Sequence, residues 1–175
     1  MSQLWMQPLL LGLLITLGCA VVTDITARKI PNLLIVFGLV ASLVCQLVLP
    51  DGIGFREWLL AVLLGLLCFL PLYLLRAMAA GDVKLMAVVG GFVGYPLVIS
   101  AALYSFVAGG VMALVMVLLS GKAKALQQNL TLMLFFWAAK PTNTSSVTDA
   151  PIISVGKMPY AVAISLGGLL AWYMK

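Results

Sequence analysis

The 175-residue chain contains no histidine. That absence excludes Ser-His and Cys-His nucleophilic catalysis and every metal site that depends on an imidazole ligand. Charge is scarce too. Only 9% of the residues are Asp, Glu, Lys or Arg, against about a quarter in an ordinary soluble domain. So few charges cannot cover a water-facing surface, and no long polar stretch is present to form a separate soluble domain. Cysteine is low and odd in number. Cys19, Cys45 and Cys68 sit within apolar runs without ligand spacing, which reads as small buried hydrophobes rather than a disulfide framework or a metal site.

Apolar residues, by contrast, make up 64% of the chain. A bilayer core needs about 20 of them per helix. Six candidate spans follow: Leu4 to Val22, Asn32 to Leu49, Trp58 to Leu75, Val83 to Val93, Leu97 to Leu119 and Pro159 to Met174. Pro31 and Pro159 stand where helices begin, a position that tolerates their missing N–H. The fourth run is short. However, Leu85 to Leu119 is too long for one crossing, Gly94-Tyr95-Pro96 is a natural break, and a short helix is tenable where protein rather than lipid surrounds it. No Lys or Arg precedes Arg28, so the first run lacks the basic segment of a signal peptide and reads as a retained helix. In lipid each helix satisfies its own backbone hydrogen bonds. The expected fold is therefore all-α: a single polytopic membrane bundle over residues 1–175, with about six transmembrane helices.

The net charge of +5 is scattered among apolar spans and forms no dense patch, which favours the lipid bilayer over nucleic acid as partner. With the N-terminus outside, the inner loops hold Arg28, Lys29, Arg76, Lys84, Lys122, Lys124, Lys140 and Lys157, and the outer side holds only Arg56 and Lys175. That bias sets the N-terminus and C-terminus out. Residues 121–157 then form a flexible or interfacial inner loop. Within it, Ala125 to Ala139 reads as an interfacial helix, with a buried half-helix as the alternative, and the Ser-, Thr-, Asn- and Pro-rich run between Lys140 and Lys157 reads as mobile. Gly90, Gly94, Gly109, Gly110, Gly167 and Gly168 are expected at close helix contacts.

Five acidic residues are present. Asp51 and Glu57 share the outer loop and Asp149 lies in the polar inner loop; all three read as solvated. Asp24 and Asp82 differ, because each sits at the inner end of an apolar span, where an ionised carboxylate is costly. The first follows helix one and the second opens helix four, so the six-span topology brings both to one membrane face. Two carboxylates that meet there can share a proton, since like charges a few Å apart cannot both ionise cheaply. One then serves as base to a water while the other, protonated, polarises a carbonyl. This is peptide hydrolysis without serine, cysteine or metal. A structural reading stands beside it: Asp24 pairs with Arg28 one turn on, and Asp82 caps helix four.

The surrounding residues add a resemblance. Thr23-Asp24-Ile25-Thr26-Ala27-Arg28-Lys29-Ile30-Pro31-Asn32 resembles the first motif of the type IV prepilin peptidases, an aspartate followed by a basic residue and Ile-Pro-Asn. Ala80-Gly81-Asp82-Val83-Lys84-Leu85 resembles their second motif, Gly-x-Gly-Asp-x-Lys-Leu, and Lys157-Met158-Pro159-Tyr160-Ala161 the third, a Pro-aromatic step opening the last helix. The three motifs occur in the family's order, and the resemblance covers nearly the whole chain.

The resemblance implies a six-helix aspartyl protease that removes the leader from prepilins and pseudopilins at the cytoplasmic face of the bacterial inner membrane, without a cofactor. The catalytic roles carry over to Asp24 and Asp82, and substrate-binding roles to Gly81, Ala79, Lys84 and Pro159. At Gly81 the missing side chain lets the substrate backbone approach. Lys84 orients the second motif or pairs with a carboxylate, or else snorkels to lipid phosphate.

Two departures matter. Ala79 replaces the motif's first glycine, which bears on substrate fit. The Cys-x-x-Cys insertion of the larger, methyltransferase-bearing members is missing, so the chain resembles the small branch that serves Flp-type (tight adherence) pili. Three other readings compete. One is a non-catalytic pilus assembly factor, for which Ala79 speaks. Another is a small transporter using Asp24 and Asp82 as ion-coupling groups, which needs polar residues deep within helices. The third is a relative of the presenilin group, which pairs Gly-x-Gly-Asp with Tyr-Asp, whereas Thr23 precedes Asp24 here.

Overall fold

The computed structural model describes residues 2–50, 52–75, 78–95, 97–119 and 159–174. These form α1 (Ser2–Ala27), α2 (Asn32–Val48), α3 (Gly54–Leu74), α4 (Ala80–Val93), α5 (Leu97–Leu119) and α6 (Tyr160–Tyr173), with no strand among the described residues. The all-helical expectation holds, and each helix coincides with one expected span. Pro8–Ala27, Gly54–Leu74 and Leu97–Leu119 are long and apolar enough to cross a membrane, while α2 and α6 are shorter apolar helices. The chain divides into two compact units, Met1–Gly110 with Pro159–Lys175, and Val111–Met158. Of the second, only the end of α5 is described. The reading of residues 121–157 as an interfacial or flexible inner loop lies outside the described residues.

The core of the first unit is α4, which packs against α1, α2, α3 and α6. Every residue from Leu85 to Val93 is buried. Fourteen residues rise only about 21 Å, short of the roughly 30 Å of a hydrocarbon core. A helix that is apolar all round and this short is stable because protein sheathes it. The outer helices behave in the opposite way. On α2, Leu33, Val36, Phe37, Val40, Val44 and Val48 are exposed. So continuous an apolar surface is a liability in water and the proper face toward lipid.

Small residues let α3 reach α4. A Cβ on Gly65 would stand 2.5 Å from the Met86 carbonyl oxygen, and one on Gly90 would overlap the Ala61 carbonyl. Gly65 therefore faces Met86 and Ala61 faces Gly90, an antiparallel register in which the backbones nearly touch. One turn further, the same register brings Phe69 level with Asp82. Of the other glycines expected at contacts, Gly94, Gly109, Gly167 and Gly168 also lie against neighbours, whereas Gly110 faces open space.

The far end of α4 ends at Gly94, whose φ of 80° favours glycine and whose N–H reaches the Gly90 carbonyl at 2.8 Å. Two of the carbonyls left free there, on Gly91 and Phe92, each accept from Gln46 Nε2 at 3.2 Å. Gln46 Oε1 in turn accepts the Ile53 N–H at 3.3 Å, and Trp58 Nε1 donates to Ser42 Oγ at 3.0 Å. The buried polar groups at this end are thus satisfied from α2 and α3.

Three details correct the sequence reading. Helix α1 runs to Ala27 rather than Val22, because the Thr23 and Thr26 hydroxyls donate to the Cys19 and Val22 carbonyls at 2.8 and 2.7 Å and so ride within the helix. Asp24 is therefore inside the last turn of α1 rather than beyond it. Helix α3 begins at Gly54, which puts Glu57 in its first turn, where a negative charge suits the helix dipole. Cys19 is exposed and Cys45 and Cys68 are half-buried; in a membrane protein a small apolar side chain can face lipid as readily as the core.

Candidate active site

Helix α1 stops because Arg28 turns left-handed, with φ 51°, and donates its N–H to the Asp24 carbonyl at 2.9 Å. This is the αL arrangement of a helix end, with arginine where glycine is usual. The turn takes Arg28 out of the helical row, and the Asp24 carboxylate finds another partner. Its Oδ2 accepts the Ala161 N–H at 3.1 Å. Pro159 opens α6 without an N–H of its own, and the first N–H groups of a helix have no partner within it. Asp24 satisfies one of them and sets a carboxylate at the positive end of the α6 dipole.

Asp82 lies in the first turn of α4, one residue ahead of the apolar run Val83–Val93. Its N–H donates to the Ala79 carbonyl at 3.1 Å, and its carboxylate is held in return by the Ala79 N–H. This is half of a capping box. The side chain is only 7% exposed. Burial pushes the Asp82 carboxyl up to about 6, the Asp24 charge pushes in the same direction, and the Ala79 N–H opposes both. The Asp24 charge thus acts on Asp82 across the ends of α1 and α4.

An aromatic cluster lies at this end of the bundle. Tyr160 lies within the field of the Asp82 carboxylate. Its ring meets Phe69 edge-on at 6.3 Å, and Phe69 packs on Phe106 at 4.7 Å. The phenol rests over Gly109, where a Cβ would collide with it. Tyr160 is thus within the field of Asp82, while its neighbour Ala161 holds Asp24. Sequence reasoning carried over Pro159 alone, although the aromatic residue following it was the available signal.

The remaining sequence-selected residues gather at this end as well. Gly81 is half-buried, and a Cβ on it would lie 3.3 Å from Ile30 Cβ. Its missing side chain thus admits Ile30 of the α1–α2 turn. Ala79 is exposed and extended, with φ −81° and ψ 151°, a conformation that alanine adopts without strain, so replacing the motif glycine costs nothing in the backbone. Lys84 donates from Nζ to Asn32 Oδ1 at 2.9 Å, and not to either carboxylate. Asn32 closes the first motif, and its sequence position alone does not point to Lys84.

Fold and site together define a helical membrane protein with a coupled pair of carboxylates at the ends of two of its helices. The type IV leader peptidase family matches residues 11–114, more than half of the chain and a stretch that includes both aspartates, and the chain belongs to that family. Comparison with curated proteins and with solved structures yields no match.

Proposed function

We propose that the protein is a membrane aspartyl endopeptidase that removes the leader peptide from type IV, Flp-like prepilins at the cytoplasmic face of the bacterial inner membrane. The observation that carries this reading is the coupling of two carboxylates in unlike settings, Asp82 buried and raised to about 6, Asp24 half-buried and held by a backbone N–H. A buried carboxyl that favours its proton, set in the field of a second carboxylate, suits an acid–base division of labour.

In this reading Asp82 carries the proton and donates a hydrogen bond to the scissile carbonyl. Asp24 takes a proton from a water as its oxygen adds to the carbonyl carbon. The tetrahedral intermediate then collapses. The C–N bond breaks as Asp24 returns the water's proton to the departing nitrogen and Asp82 keeps its own, so that one water is consumed, the leader ends in a carboxyl group, the mature pilin begins with an amine, and the dyad is restored. A prepilin has a short basic leader followed by a long apolar helix. With that helix in the bilayer, the bond to be cut falls at the interface, which suits a dyad carried on helix ends.

The test is direct. Purified full-length protein in detergent is incubated with a Flp-type prepilin, and the products are weighed by mass spectrometry. Loss of the leader at a single bond, with glycine before it, supports the reading. A precursor that stays intact overturns it.

A further inference from the structure

The α1–α2 turn is fastened to the first turn of α4 at two neighbouring points. One is apolar, Ile30 against the bare Cα of Gly81. The other is polar, the 2.9 Å bond from Lys84 Nζ to Asn32 Oδ1, across 52 residues of chain. Asn32 is the first residue of α2, and its amide oxygen accepts this bond from Lys84. Lys84 is exposed and has a flexible four-carbon reach, and it lies two residues after Asp82 in the chain. It engages a neutral amide instead, and the charge that acts on Asp82 is that of Asp24. The two fastened segments are those that carry the aspartates: Asp24 precedes the turn and Asp82 lies between Gly81 and Lys84.

We propose that the Asn32–Lys84 hydrogen bond is a positioning latch, which holds the α1–α2 turn on the first turn of α4 and thereby sets the separation of the two aspartates. Lys84 is on this view a positioning residue that touches neither substrate nor the reacting atoms. The proposal rests on the reading of Asp24 and Asp82 as a catalytic pair. A small displacement of one carboxylate is enough to matter, since a misplacement of about 1 Å can cost on the order of a hundredfold in rate.

The experiment uses the full chain in detergent with Lys84→Met, Asn32→Leu, the double variant and the conservative Asn32→Asp. Two readouts are taken. The first is cleavage of a Flp-type prepilin. Each single variant is expected to lose about ten- to a hundredfold in kcat with KM unchanged. The double variant is expected to lose no more than either single one, and Asn32→Asp to keep activity only while Lys84 is present.

The second readout is the titration of the Asp82 carboxyl by NMR in protein labelled with 13C-aspartate and assigned with Asp82→Asn. It is expected to move to lower pH in Lys84→Met, as the Asp24 charge recedes. Wild-type kcat together with a wild-type titration would overturn the latch. A raised KM at constant kcat would do so too, by making Lys84 a substrate contact. If the wild-type protein cleaves nothing, the protease reading fails, and the titration still decides whether the latch sets the carboxylate separation.

Discussion

Asp24 and Ala161 join the first helix to the last: the carboxylate Oδ2 accepts the Ala161 N–H at 3.1 Å across 137 residues of chain. Among the described residues Asp82 is held instead by Ala79, at the start of α4. One carboxylate is therefore fixed by tertiary structure and the other by local structure, and the bundle brings them into each other's field.

Asp82 weakens the fold that carries it. A carboxyl whose folded-state value is raised from 3.8 to about 6 favours the protonated form in the native state. Its ionisation therefore destabilises the protein as pH rises from about 4 to 6, and the full cost is present above 6. Asp82→Asn keeps the shape and removes the charge. It is expected to unfold at a higher temperature than the wild type at pH 7.5, by up to about 3 kcal/mol, with the gain vanishing toward pH 4. Thermal unfolding in detergent at several pH values checks this; a variant less stable than the wild type at neutral pH would show that Asp82 has a structural role instead.

The same titration sets a pH dependence of catalysis. If Asp82 must carry the proton in the free enzyme, kcat/KM declines as pH rises through about 6. A profile of initial rates against prepilin, taken from pH 5 to 8 at low substrate, should show this alkaline limb. A flat profile across that range contradicts the assignment of the proton to Asp82.

Gln46 seals the end of α4 opposite the aspartates. Gln46→Leu leaves the Gly91 and Phe92 carbonyls and the Ile53 N–H without their side-chain partner. Each orphaned buried group costs about 1–3 kcal/mol, so a clear fall in unfolding temperature is expected, with the residual activity of folded protein preserved. An unchanged unfolding temperature would mean that other groups cap this helix.

The α3–α4 approach makes a paired prediction. Gly65→Ala drives a Cβ to 2.5 Å from the Met86 carbonyl oxygen, while Gly18→Ala meets nothing within 4 Å. The first is expected to destabilise by about 1–3 kcal/mol through overpacking, and the second to be neutral or to gain up to about 1 kcal/mol of helix propensity. Equal behaviour of the two in thermal unfolding would contradict the close register of α3 on α4.

Much of this was readable in the sequence, and the reasons are specific. Runs of apolar residues bounded by Pro31, Gly94 and Pro159 marked the helices, because the bilayer fixes their length and a proline or glycine fixes their ends. Asp24 and Asp82 stood out because a carboxylate beside an apolar run is costly. What could not be read was pairing across the bundle. The sequence offered Arg28 as partner for Asp24 by helical spacing, but a left-handed Arg28 breaks that spacing. Neither the Ala161 N–H, nor the bond from Lys84 to Asn32, nor Tyr160 over Gly109 has any local signature, since each joins residues dozens of positions apart.

The most direct measurement is cleavage of a Flp-type prepilin by the purified protein and by Asp24→Asn and Asp82→Asn, each first shown to be folded by its thermal transition. If the two carboxylates act as one proton-sharing unit, each substitution alone abolishes cleavage, and the double variant is no worse than either. Near-normal cleavage by either single variant would contradict the dyad.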